Sequence, residues 1–249
     1  MPRYFLEVSY KGTGYSGFQK QENANTIQSE VEKAFSILHQ DKMVLTGSSR
    51  TDAGVHALQN FFHFDYDRPV HSQFVYKINA LLPDDIVVVD IREVTDDAHC
   101  RFDAASRTYR YRVYQVKDAF VKDSAYYFPY KIDMEKLREA AGLILQYDDF
   151  TSFSKRNTQV KSFICNIEQS EWRQEENLLV YQVKANRFLR GMVRGLIGTM
   201  LKAGRDKISM EDLKQIIEGR DCSKADFAVP AKGLFLVKVE YPDTIFLKK

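Results

Sequence analysis

The stretch Gly47-Ser-Ser-Arg-Thr-Asp-Ala-Gly-Val-His-Ala57 holds the residue types from which chemistry is made. One carboxylate, Asp52, and one guanidinium, Arg50, lie between Gly47 and Gly54, which permit backbone angles or close approaches that a Cβ forbids. The stretch follows the apolar run Met43-Val-Leu45 and precedes a strand-like alternation from Gln59, so it reads as a connection, where a rigid scaffold can present reactive groups. In such a place Asp52 can act as nucleophile or base, with the nearby cation favouring its ionised form. The alternative is a polar turn in which Asp52 bonds its own backbone. His56 in the same loop admits a third chemistry, hydrolysis of nucleotides or glycosides, although no second acidic partner is evident. His56 and His63 are too loosely arranged to argue for metal and read as hydrogen-bonded structural histidines. Cys100, Cys165 and Cys222 are odd in number and lack a C-x-x-C pair, which argues against a disulfide framework or a structural zinc site.

Composition places this chemistry in a globular chain of 249 residues, enough for one large domain or two ordinary ones. No apolar run approaches the roughly 18 residues of a membrane span. The start, Met-Pro-Arg-Tyr-Phe-Leu-Glu, is too short and too soon charged for a signal peptide, so a cytoplasmic protein is expected. Net charge is only +2, but its distribution is uneven. The stretches 104–117, 150–167 and 177–205 hold four, three and six basic residues and no acid, among them Arg107, Arg110, Arg187, Arg190 and Arg194. Such segregation fits either a basic surface for a polyanion or cations paired with acids from elsewhere in the chain. An RNA-binding protein without chemistry is therefore a further possibility.

The elements that must position these groups are legible in order. Tyr4 to Tyr10 reads as a strand, and the glycine cluster Lys11 to Gly17 as a flexible turn that leaves Phe18, Gln19 and Lys20 available for a ligand. Asn25 can cap a helix bearing Ile27, Val31, Ala34, Phe35 and Leu38, and Ser72 a short helix ended by Pro83. Strands follow at Gln59 to Tyr66 and Ile86 to Val94, a β-α-β-β-α-β-like order with helices on one face of an antiparallel sheet. A boundary near residue 104 divides an N-terminal α+β domain, 1–104, from a C-terminal one, 105–249. In the latter, Ser106 to Val116 is a strand with Arg107, Tyr109, Tyr111 and Val113 on one side and Thr108, Arg110, Arg112 and Tyr114 on the other. This mixture suits base stacking with phosphate contact, or equally a strand of half-buried tyrosines and snorkelling arginines. Asp133 caps a helix, Phe150 to Thr158 is a basic loop, and Lys161 to Trp172 and Leu178 to Asn186 are strands. Arg187 to Ala203 reads as a helix with Arg187, Arg190 and Arg194 clustered beside Gly191, Gly195 and Gly198, glycines that imply close packing there. Ser209 begins another helix, and Gly233 to Tyr241 is the last strand.

Arg50-Thr-Asp-Ala-Gly-Val-His56, Arg107-Thr-Tyr-Arg-Tyr111 and Asn186-Arg-Phe-Leu-Arg-Gly-Met-Val-Arg194 together resemble the tRNA pseudouridine synthase A family. Asn79-Ala-Leu-Leu-Pro83, Asp149-Phe-Thr-Ser-Phe153 and Gly233-Leu-Phe-Leu236 extend the likeness through nearly the whole chain. The resemblance implies an α+β homodimer of two ferredoxin-like-derived domains whose antiparallel or mixed sheets join around a central basic cleft. It implies no cofactor or metal, a tRNA anticodon stem-loop as partner, and isomerisation of uridine to pseudouridine at positions 38 to 40. By position, Asp52 matches the catalytic aspartate, Tyr109 the tyrosine that packs on the target base, Arg194 the arginine paired with that aspartate and Arg50 the arginine associated with nucleotide flipping. Arg107, Arg110, Arg187 and Arg190 are the further candidates for substrate contact.

Overall fold

The computed structural model describes residues 1–39, 42–68, 70–156 and 160–247. In chain order the elements are β1 (Arg3–Tyr10), α1 (Ile27–His39), β2 (Thr46–Gly47), β3 (His56–Asp65), α2 (Phe74–Asn79), β4 (Ile86–Val94) and β5 (Ser106–Tyr114). There follow β6 (Tyr126–Tyr127), α3 (Met134–Ile144), β7 (Ile167–Glu175), β8 (Leu178–Ala185), α4 (Met192–Ala203), α5 (Met210–Glu218) and β9 (Leu234–Glu240). They form two α+β units, 1–105 with 235–249, and 106–234. The sequence places 235–249 in the second domain; the packing groups these residues with the first, because β9 runs parallel to β3 with His56 opposite Phe235.

In the first unit β1 pairs antiparallel with β3 on one side and β4 on the other, and β2 adds to β3. Strand geometry sends alternate residues to opposite faces. Phe62 and Phe64 of β3 face inward, where Phe18 stacks on Phe62 at 4.4 Å and Phe35 of α1 meets Phe64 at 5.0 Å. The opposite face carries Phe5 and Phe61, both covered by Tyr241 at 5.1 Å. Helix α1 is capped by Thr26 rather than Asn25. The Ser29 amide donates to the Thr26 hydroxyl at 3.2 Å and the Thr26 amide to the Ser29 hydroxyl at 3.0 Å, so the reciprocal pair sits one residue later than expected. Gln28 instead turns inward to the Leu45 carbonyl at 2.7 Å. Helix α2 starts after Gln73 without the side-chain cap expected from Ser72.

In the second unit β8 lies between β5 and β7, antiparallel to both, and β6 adds parallel to β5. Tyr111, Val113 and Tyr181 are fully buried, and Trp172 lies 5.2 Å from Tyr181. Asp133 caps α3 by accepting the Glu135 and Lys136 amides, and Ser209 with Asp212 forms a capping box on α5. The expected basic loop Phe150 to Thr158 opens with a turn of 3-10 helix, Thr151–Phe153, and buries Phe150 and Phe153; residues 157 and 158 lie outside the described residues. The strand expected from Lys161 forms only from Ile167.

Candidate active site

The Asp52 loop is a connection fixed at both edges. Ser48 donates its amide to the Phe61 carbonyl at 2.8 Å, and β3 begins at His56. Between these points the Phe18 amide donates to the Thr51 carbonyl at 3.1 Å, and the Val55 amide to the Asp52 carbonyl at 3.2 Å. The second bond closes a tight turn that Gly54 completes at φ 80°, a left-handed angle that a side chain would strain. Asp52 is thus half-buried with the carbonyls on both sides of its Cα held, while Arg50 is exposed.

The glycine cluster before Phe18 packs directly on this loop. A Cβ on Gly12 would stand 2.0 Å from the Val55 carbonyl oxygen, and one on Gly17 3.0 Å from that of Thr51. The turn is therefore a packed support where the sequence suggests flexibility. Phe18 is buried against Phe62 and cannot serve a ligand as expected, and Lys20 pairs with Glu32 at 2.8 Å. His56 is buried, stacks on Phe235 at 4.6 Å and accepts the Gly12 amide through Nδ1 at 3.2 Å. It holds the loop, which removes the motive for a hydrolase built on Asp52 and His56.

In the second unit Tyr109 is half-buried on β5, with Phe188 edge-on at 5.0 Å. Arg107 is buried and reaches the Asn186 carbonyl at 3.4 Å, so the start of β5 and the segment before α4 lie side by side. The expected helix from Arg187 does not begin there: α4 starts at Met192, after Gly191 at φ 77°. Arg187, half-buried, and Arg190, exposed, precede it, so the three arginines do not share one helical face. The turn brings the Arg190 carbonyl to the Lys155 amide at 3.0 Å. Arg194 is in the first turn of α4. Its Nε donates to the Val229 carbonyl at 2.8 Å and its Nη2 to that of Phe227 at 3.4 Å. The glycines of α4 are what let this segment approach: a Cβ on Gly195 would meet the Phe227 ring at 2.8 Å, and one on Gly198 the Asp226 carbonyl oxygen at 2.2 Å.

Several cations of the basic stretches are paired within the chain. Arg110 bonds Gln182 at 2.6 Å and lies 3.7 Å from Glu175, Lys184 pairs with Glu168 and Lys202 with Asp226, each at 3.0 Å. On β5, Tyr111 is core, its hydroxyl donating to the Pro230 carbonyl at 2.8 Å.

Sequence spacing missed the meeting of His63, His99 and Cys100, whose ligand atoms lie within 4.8 Å of one another; among the described residues no other such group could hold a metal ion. Their polar atoms have partners within the fold. The Cys100 thiol donates to the Thr46 carbonyl at 3.2 Å, and His63 Nδ1 accepts the Cys100 amide at 3.3 Å. Burial, with His99 and Arg3 nearby, lowers the His63 pKa from 6.5 to about 4.

A family model described as tRNA pseudouridine synthase matches residues 7–103 and 147–242. A Parabacteroides distasonis protein named tRNA pseudouridine synthase A is 43% identical over 249 residues, covering 99% of this chain and 98% of that one. Proteins of the same name from Porphyromonas gingivalis, 42% identical over 99% of this chain and 100% of theirs, and Staphylococcus aureus, 36% identical over 99% and 94%, are also similar. No helix among the described residues is long and apolar enough to cross a membrane.

Proposed function

This chain belongs to the tRNA pseudouridine synthase family, and on that premise we propose that it isomerises uridine to pseudouridine in the tRNA anticodon stem-loop, at positions 38, 39 or 40, through Asp52. The observation that carries the assignment to Asp52 is its loop: a half-buried carboxylate whose flanking carbonyls are both fixed, in a chain with the family's full-length likeness.

The reaction breaks the N1–C1′ bond of uridine, forms a C5–C1′ bond, returns a proton to N1 and releases one from C5, with no net redox change and no hydrolysis. A carboxylate can begin it by covalent attack or by taking a proton from the ribose. The target base must first leave its stack, at a cost of a few kcal/mol. Arg50, exposed beside the carboxylate in sequence, is proposed to fill the place the base vacates. Tyr109 offers a ring to retain the freed base, with Phe188 edge-on to it at 5.0 Å as a packing neighbour. Arg194, anchored by two backbone carbonyls, supplies a guanidinium of fixed direction to hold the carboxylate ionised. Arg107, Arg110, Arg187 and Arg190 are proposed to serve the RNA backbone, with those already paired exchanging partners on binding. A basic cleft, a homodimer and a cytoplasmic setting complete the proposal.

Asp52→Asn is the decisive variant, since it keeps size and one acceptor oxygen while removing the charge. Nucleoside analysis of tRNA after incubation should show pseudouridine formation reduced roughly a thousandfold or more, the scale of losing a nucleophile. A folded Asp52→Asn protein with full activity would reject the role. Bound but unmodified tRNA with the native enzyme would favour an RNA-binding protein without chemistry.

A further inference from the structure

The polar residues beneath the Asp52 loop form a chain of hydrogen bonds that ends at Thr51, its immediate neighbour. Asn60 is fully buried on β3. An amide in that position is costly unless each polar atom has a partner. Its Oδ1 accepts the Phe61 amide at 2.9 Å and the Ser48 hydroxyl at 3.3 Å. A backbone N–H can only donate, so this fixes which end of the amide is oxygen. Nδ2 then donates to the Tyr10 hydroxyl at 3.2 Å. The Thr51 hydroxyl in turn shares a hydrogen bond of 2.8 Å with that same Tyr10 hydroxyl.

A backbone irregularity aims this hydroxyl. Val8 pairs with Asn60, but two residues later Tyr10 pairs with Ala57 instead of Leu58, so the β1–β3 register slips by one exactly where the loop joins the sheet. Such irregularities re-aim side chains. The Tyr10 ring is held by stacking on Phe18 at 5.6 Å, and Phe18 supplies the amide that holds the Thr51 carbonyl. Thr51 is thereby gripped through its side chain and its carbonyl from the same support.

We infer that Tyr10 is a positioning residue for Asp52, acting through Thr51 and oriented by Asn60; the inference rests on the reading of Asp52 given above. It is distinct from the groups that meet the nucleotide, because the Tyr10 hydroxyl is buried under the loop. Its contribution is to the direction of the carboxylate, and errors on the scale of 1 Å in a reacting group cost about a hundredfold.

The test uses Tyr10→Phe, which deletes one oxygen and keeps the stacked ring, with Thr51→Val, Thr51→Ser and the double variant Tyr10→Phe/Thr51→Val. Tyr10→Phe and Thr51→Val should each lower kcat about ten- to a hundredfold, with KM for tRNA within about twofold. The double variant should lose no more than the worse single, and Thr51→Ser, which keeps the hydroxyl, should retain most of the rate. Wild-type kcat in Tyr10→Phe, losses that multiply in the double variant, or a change confined to KM would each overturn the inference. Amide hydrogen exchange on the same proteins is read independently of activity: exchange at Val55 and at Phe18 should rise about tenfold or more in Tyr10→Phe, and unchanged exchange overturns the inference. Native enzyme that forms no pseudouridine would overturn the functional reading, leaving exchange to decide the role of Tyr10.

Discussion

At the scale of single residues, the first unit uses polar groups as fasteners, and one of them makes the fold sensitive to acid. His63 Nδ1 accepts the Cys100 amide, which only the neutral ring can do. Protonating that nitrogen would set two donors against each other. Burial, then the nearby His99 and Arg3, brings the His63 pKa down from 6.5 to about 4, and burial lowers that of His99 too. In the window between those values the unfolded chain binds a proton at His63 that the folded chain refuses, so stability falls as pH drops from 6.5 towards 4. The full shift corresponds to about 3 kcal/mol. Urea unfolding at pH 7 and at pH 4.5 should show the native chain losing stability across the window. His63→Gln should lose correspondingly less, even though it starts less stable at pH 7. Equal losses in the two proteins would show that His63 does not carry the acid sensitivity.

At the scale of elements, α4 shows what glycine does when another segment needs the space. In an exposed helix, glycine to alanine gains up to about 1 kcal/mol. Gly142 in α3 meets that description, with nothing within 4 Å of a Cβ placed there, and Gly142→Ala should raise the melting temperature by a few degrees. Gly198→Ala should do the opposite, because its Cβ would press to 2.2 Å from the Asp226 carbonyl oxygen. The segment 226–229 that it displaces carries both carbonyls that anchor Arg194, so pseudouridine formation should fall with stability. Thermal melts and activity assays on the pair check this: a Gly198→Ala protein as stable and active as Gly142→Ala would refute it. The sequence disclosed this packing only in part. The spacing of Gly195 and Gly198 signalled a close neighbour without saying which, since segment 226–229 has no periodic pattern of its own. Periodicity also ran the helix back to Arg187, because side-chain spacing does not reveal that Gly191 adopts a left-handed angle and starts the helix anew. The Asp52 loop was legible because a polar, glycine-bearing stretch between an apolar run and a strand-like alternation marks a connection. Tyr10 and Asn60 were not, because on a strand they look like ordinary inward residues, and their partners are 41 and 50 positions away.

At the scale of the whole molecule, the order of the chain and the order of packing disagree, and this has a consequence for folding. The second unit is one continuous run, 106–234, inserted into the first, whose last piece is 235–249. That piece is structural. Phe235 stacks on His56, the Val239 amide donates to the Gln59 side chain at 3.0 Å and the Tyr241 hydroxyl to the Cys100 carbonyl at 2.6 Å. Tyr241 also seals Phe5 and Phe61, and the Thr95 amide donates to the Ile245 carbonyl at 3.0 Å. A chain ending at Leu234 loses all of these while keeping every residue of the Asp52 loop. Removing the cover from two buried phenylalanines forfeits a few kcal/mol of apolar burial, a large part of the stability of a unit this size. Long-range closure also makes the first unit wait for the end of the chain, whereas the second can form from contiguous sequence. Hydrogen exchange on the 1–234 chain should therefore find β7 and β8 protected as in the full protein and β1 and β3 exchanging freely, with pseudouridine formation lost. Native protection of β1 and β3 in that chain would mean that the first unit is complete without β9, and that the final strand is an attachment to a fold already closed.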